Sequence, residues 1–91
     1  MEIGRVVGAV WATRKAQGLE GRKLLLVELW DVAQGRPAPG VYRVAADVIG
    51  AGVGEKVLLV SGTAARRAVG EDTAPVDGAA VAILDGWEME A

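Results

Sequence analysis

Apolar stretches of strand length recur five times along this chain, separated by clusters of Gly, Pro, Asp and Thr, and almost nothing follows the three-and-four spacing of an amphipathic helix. A chain punctuated in this way must build its core from short strands. Strands are expected at Glu2–Thr13, Lys23–Val32, Val41–Ile49, Glu55–Ser61 and Ala79–Asp85, with a single helical turn between the last two. That turn should begin at Thr63, whose hydroxyl can accept from exposed backbone amides, run through Ala64, Ala65, Arg66, Arg67 and Ala68, and stop before Gly70. Gln34 to Gly40 holds two prolines and two glycines. Proline offers no N–H to a ladder, so this stretch reads as a surface loop outside the sheet.

At 91 residues the chain should form one domain over 1–91. Five short strands with a helical turn between the fourth and fifth fit an all-β architecture, a small sheet bent until it closes into a five-stranded barrel. Strict alternation places Gly4 and Gly8 on one face of the first strand, where missing side chains allow sharp curvature or close packing. The barrel is OB-like. The oligonucleotide-binding type carries its helix between the third and fourth strands, so the likeness is one of architecture only.

Gly50, Gly52 and Gly54 alternate within IGAGVGEKVLLV, residues 49–60, and mark a thin, permissive backbone. A dinucleotide loop needs a strand before such glycines and a helix after them, and here Glu55 to Val60 is strand-like. A Walker loop needs Gly-Lys-Ser/Thr, which does not follow. A structural loop in a small β domain remains.

Which partners the barrel can have is bounded by composition. With no His and no Cys, thiolate metal sites, disulfides and the commonest general base are all absent. A net charge of −2 gives no electropositive field for nucleic acid. No apolar stretch reaches the ~20 residues of a membrane helix, and no leader pattern opens the chain, so neither nucleic acid nor membrane is an expected partner and the cytosol is the expected location. Yet 52% of residues are hydrophobic. In the second strand Leu25, Val27 and Leu29 lie on one face and Leu24, Leu26 and Trp30 on the other; in the fourth, Val57 and Leu59 oppose Leu58 and Val60. One face fills a barrel. The other must be covered, by the chain's own loops or, since those are few and polar, by neighbouring subunits.

Three ordered blocks, VVGAVWATRKAQGLEGRKLLLV at 6–27, AADVIGAGVGEKVLLVSGTAAR at 45–66 and PVDGAAVAILD at 75–85, resemble the bacterial microcompartment vertex proteins of the EutN/CcmL type. The resemblance implies an OB-like barrel that forms a homopentamer and caps the vertices of a polyhedral shell, within the cytoplasm, whose facets are tiled by hexameric shell proteins. It implies no enzyme activity and no cofactor. Departures are small: Thr63 and Ala64 stand where two serines are frequent, and Gly78 where alanine is common.

Under this resemblance Gly50, Ala51, Gly52, Val53 and Gly54, together with Thr63, are candidates for a subunit-interface loop or for the surroundings of an axial pore. Asp47 is placed to accept from the loop's amides. Glu55 and Arg66 are candidates for a pair, within a subunit or across an interface. Arg14 and Lys15, with Arg22 and Lys23, read either as a solvated hairpin or as a basic rim meeting acidic residues of a neighbouring subunit or shell tile. Trp11 and Trp30 are interface anchors or core residues, and Trp87 sits in an acidic tail that reads as loose. Asp77 suits turn chemistry. Two other readings remain. One is an OB-type binding module for oligonucleotide or peptide, which would want stacking aromatics where this chain has 4% aromatics and no Phe. The other is a small interface enzyme using carboxylates such as Glu71 with Asp72 or Asp77 with Asp85.

Overall fold

Strand propensity and alternation carry through into a closed barrel. The computed structural model describes residues 1–11, 15–71 and 74–88. In chain order the elements are β1 (Glu2–Val10), β2 (Leu24–Asp31), β3 (Arg36–Asp47), β4 (Lys56–Ser61), α1 (Gly62–Ala68) and β5 (Gly78–Ile83). The strands close in the order β1-β2-β3-β5-β4. All neighbours are antiparallel except β3 and β5, which run parallel and pair only at Ala46 with Ala79 and Asp47 with Ala80. That short seam is the narrowest part of the wall.

Of the two apolar faces of β2, only the structure shows which one turns inward. Leu25, Val27 and Leu29 join Val6, Ala45, Ala51, Val57, Leu59 and Ala80 in the barrel core. Gly4 lies opposite Leu29, and a Cβ there would run into Val27 Cγ1 and stand 2.9 Å from the Glu28 carbonyl oxygen. Gly8 does not share its face. The register slips by one residue between Val6 and Gly8, so Gly8 lies opposite Leu26 rather than on the Val27 side.

Two further expectations are corrected. The Gln34–Gly40 segment is not a loop throughout, because β3 begins at Arg36, with Arg36 opposite Asp31 and Pro37 opposite Trp30. Among the described residues only β2 pairs with this half of β3, so it forms a sheet edge, where a missing N–H leaves nothing unsatisfied. The true turn is shorter. Gly35, at φ +67°, donates to the Asp31 carbonyl at 2.9 Å, and the Gln34 amide donates to Asp31 Oδ1 at 3.1 Å. The helix, in turn, starts at Gly62 with Ser61 as its N-cap and no side-chain capping bond. The Thr63 hydroxyl accepts from the Arg66 guanidinium at 2.9 Å instead of from the first-turn amides.

Outside the barrel wall Ala46, Ala74 and Val76 form a second buried cluster with Leu19, Leu24 and Val69 packed against it. The chain's own connections thus cover one end of the outer face. Part of the remainder is bare: Tyr42, Val44 and Val48 are 48%, 47% and 44% exposed.

Candidate functional site

The glycine loop is held from three sides. Asp47 closes β3 with its side chain only 2% exposed, and its Oδ1 accepts from the amides of Ile49, Gly50 and Ala51 at 3.1, 3.0 and 3.3 Å. Its Oδ2 lies 3.5 Å from Lys23 Nζ, which also donates to the Ala51 carbonyl at 3.0 Å. Burial by itself pushes the Asp47 carboxyl up, but the three amides and the Lys23 ammonium outweigh it and hold the group below its ordinary value. Glu55 Oε1 accepts from the Gly52 amide at 2.7 Å. The Gly54 amide donates to the Val6 carbonyl at 2.8 Å and the Val6 amide to the Glu55 carbonyl at 2.9 Å, which lace the loop to β1.

Positive φ explains two of the three glycines: Gly50 at +75° and Gly54 at +92° adopt backbone that other residues reach only with strain. Ala51 is fully buried beneath the loop, whereas Val53 at its tip is 72% exposed. A pinned frame therefore presents one apolar side chain to solvent. Thr63 is exposed on α1.

The anticipated charge pairs are rearranged. Glu55 and Arg66 each take a local partner, Gly52 and Thr63, rather than one another. Arg22 is used internally: its Nε donates to the Gly18 carbonyl at 2.6 Å, and one terminal nitrogen lies 3.5 Å from Glu71. Of the basic rim Lys15 is exposed, while Arg14 lies outside the described residues. A cleft of about 410 Å³ opens beside Arg22, Lys23, Asp47, Gly50 and Val69. Its single lining carboxylate, Asp47, is engaged by three amides at Oδ1 and by the Lys23 ammonium at Oδ2. Of the other acid pairs, Glu71 bonds Arg22 and Asp72 lies outside the described residues; Asp77 and Asp85 are both exposed.

The tryptophans divide. Trp87 is not loose: it meets Trp30 edge-on, with centroids 6.0 Å apart and planes at 76°. Lys56 Nζ sits 4.4 Å from the Trp30 centroid and 5.4 Å from that of Trp87. Sequence reasoning missed this cluster because its members, far apart in the chain, share no motif. Trp11 is 86% exposed.

Fold and site together define a small OB-like barrel whose helix lies between β4 and β5, whose glycine loop is braced by a buried carboxylate, and whose outer wall is partly bare. The family described as ethanolamine utilisation protein EutN/carboxysome matches residues 1–85. The chain belongs to this EutN/CcmL family. The carboxysome shell vertex protein CcmL of Gloeobacter violaceus is 46% identical over 85 residues, 93% of this chain and 83% of that protein. Its solved structure superposes with a TM-score of 0.91 at 43% identity, covering 99% of this chain and 91% of that one. The bacterial microcompartment shell vertex protein EutN of Salmonella typhimurium is 48% identical, over 93% of this chain and 84% of that protein. The pentameric microcompartment shell protein GrpN of Rhodospirillum rubrum superposes with a TM-score of 0.85 at 36% identity, covering 98% of this chain and all of that one. The reading as an OB-type binding module finds no support among these relatives. No helix among the described residues is long and apolar enough to cross a membrane.

Proposed function

We propose that this chain is a structural shell subunit: a homopentamer that caps the vertices of a polyhedral bacterial microcompartment and closes a shell tiled by hexameric proteins. The observation that carries the proposal is the match along essentially the full length of both chains to a pentameric shell protein, with a TM-score of 0.85. The physical reason is geometric. A flat hexagonal sheet encloses no volume, so fivefold units must be inserted to curve it. Copies related by a head-to-tail contact form a closed ring when the rotation between them closes, and the bare stripe of Tyr42 and Val44 gives such a contact apolar surface to hide.

In this role the protein performs no reaction and resides with its shell in the cytoplasm. The braced loop from Gly50 to Gly54, with Val53 at its tip, and Thr63 on α1 serve as contact or near-axis elements. Asp47 and Glu55 act by fixing the loop's shape, while exposed Lys15 faces neighbours. Native mass spectrometry of the purified protein, followed by electron microscopy of co-expressed hexameric shell proteins with and without it, tests the proposal. Closed polyhedra should require the chain, and open sheets or tubes should form without it. Equally closed particles in its absence would contradict the vertex role.

A further inference from the structure

We propose that Asp85 and Gly86 form a self-modifying site: the Gly86 amide nitrogen closes on the Asp85 carboxyl, and the isoaspartate that results unseats Trp87 from Trp30 and Lys56. The inference is independent of the ring proposed above.

An aspartate can cyclise onto the amide nitrogen of the next residue when its carboxyl swings over that nitrogen, and a following glycine, with no Cβ, leaves the approach open. The chain holds two such dipeptides, Asp77-Gly78 and Asp85-Gly86. The fold treats them oppositely. Asp77 is exposed, but its carbonyl accepts from the Gly62 amide at 3.0 Å, and Gly78 opens β5 opposite Ser61, where an added Cβ would stand 3.4 Å from the Val44 carbonyl oxygen. The peptide that would have to rotate is held in the sheet. Asp85 and Gly86 lie beyond the end of β5, both exposed, and a Cβ on Gly86 would meet nothing within 4 Å. Among the described residues neither the Asp85 carboxylate nor the Gly86 amide has a hydrogen-bond partner.

The step balances with water as its only co-reactant. The Gly86 nitrogen bonds to Asp85 Cγ, the bond from Cγ to the carboxyl hydroxyl breaks, and that hydroxyl leaves with the amide proton as water, giving a succinimide ring. Water then adds at either ring carbonyl. Addition at Cγ restores aspartate, whereas addition at the Asp85 main-chain carbonyl carbon leaves the chain running through Cβ and Cγ and turns the former carbonyl into a free carboxylate. Charge is kept, and the main chain is longer by one carbon, about 1.5 Å.

That carbon enters a short span. On one side the Leu84 amide donates to the Lys56 carbonyl at 2.8 Å; on the other Trp87 meets Trp30 with centroids 6.0 Å apart and lies 5.4 Å from Lys56 Nζ. Only Asp85 and Gly86 separate the two anchors. An edge-on contact depends on the placing of both rings, so lengthening this span draws Trp87 off Trp30 and leaves Lys56 with one aromatic face instead of two.

Ageing the purified full chain for weeks at mildly acid pH tests the inference. Methyl labelling by an isoaspartyl methyltransferase should mark position 85 and not 77, and an endoproteinase that cuts before aspartate but not before isoaspartate should progressively lose its cut at 85 alone. In step with the label, the indole N–H resonances of Trp30 and Trp87 should shift, while that of Trp11, 86% exposed, stays. Gly86→Ala, which the open space around Gly86 accommodates, and Asp85→Glu, which must close a larger and slower-forming ring, should suppress both the label and the shift. No label at 85, or as much at 77, would overturn the site. Label at 85 with all three indole resonances unmoved would overturn its link to Trp87.

Discussion

Lys23 reaches Asp47 and Ala51 at once, its ammonium 3.5 Å from the Asp47 carboxylate and 3.0 Å from the Ala51 carbonyl, so the start of β2 is tied to both the stem and the floor of the glycine loop. The two members of the pair are unequal. Lys23 is 55% exposed and water can replace much of what it does, whereas Asp47 is buried and serves three amides.

Asp47→Ala should therefore cost about 2–3 kcal/mol in urea unfolding, because several amides lose their acceptor together. Lys23→Ala should cost less than about 1 kcal/mol, as for exposed ion pairs. Equal losses would mean that the ion pair, not the amide cage, holds the loop.

The same carboxylate sets an acid limb. Its folded-state pKa is depressed, so its stabilisation is present above the ordinary value of 3.8 and disappears as pH falls through the lower folded value. Urea midpoints measured downward from pH 7 should fall below about pH 4 in the parent. In Asp47→Asn they should start lower and fall less steeply. Parallel acid limbs would place the titrating groups elsewhere.

Gly4 and Gly8 should respond differently to a methyl group. Gly4→Ala drives a Cβ into Val27 and toward the Glu28 carbonyl and should cost about 1–3 kcal/mol, while the nearest atom at Gly8 is Leu26 Cβ at 4.0 Å. Thermal melts should separate the two variants by several degrees. Equal tolerance would mean that the barrel relaxes around Gly4.

Trp87→Ala removes the edge-on partner of Trp30 and half of the aromatic surround of Lys56. Loss of the aromatic pair and one cation–π contact predicts about 1–2 kcal/mol. Part of that is offset, because the Trp30 indole N–H, now buried without an acceptor, becomes free to bond water. Trp30 emission should shift to the red and become accessible to acrylamide. Unchanged emission would show that Trp87 does not shield it.

What was legible in the chain follows from how local each cause is. Alternation sorted β2 into Leu25, Val27 and Leu29 against Leu24, Leu26 and Trp30, but both sets are apolar, so which one fills the barrel is decided only by the closed sheet. Asp47 was legible because an acid just before a glycine turn finds amides within a few residues. The Gly8 face was not, because a bulge inserts one residue and reverses every side chain after it. Proline misled at Pro37, where the rule against ladders holds only for strands paired on both sides. The Trp30–Trp87–Lys56 cluster had no signature, because only the closed barrel brings β2, β4 and the tail together. The family came from three ordered blocks, whose joint spacing is far more specific than any single glycine run.

The central claim is that this barrel is unfinished alone and complete as a ring of five. Native mass spectrometry at low micromolar concentration tests it most directly. The account predicts one dominant species with five times the mass of the 9.4 kDa chain. A persistent monomer, or a ring of three or six, would contradict it.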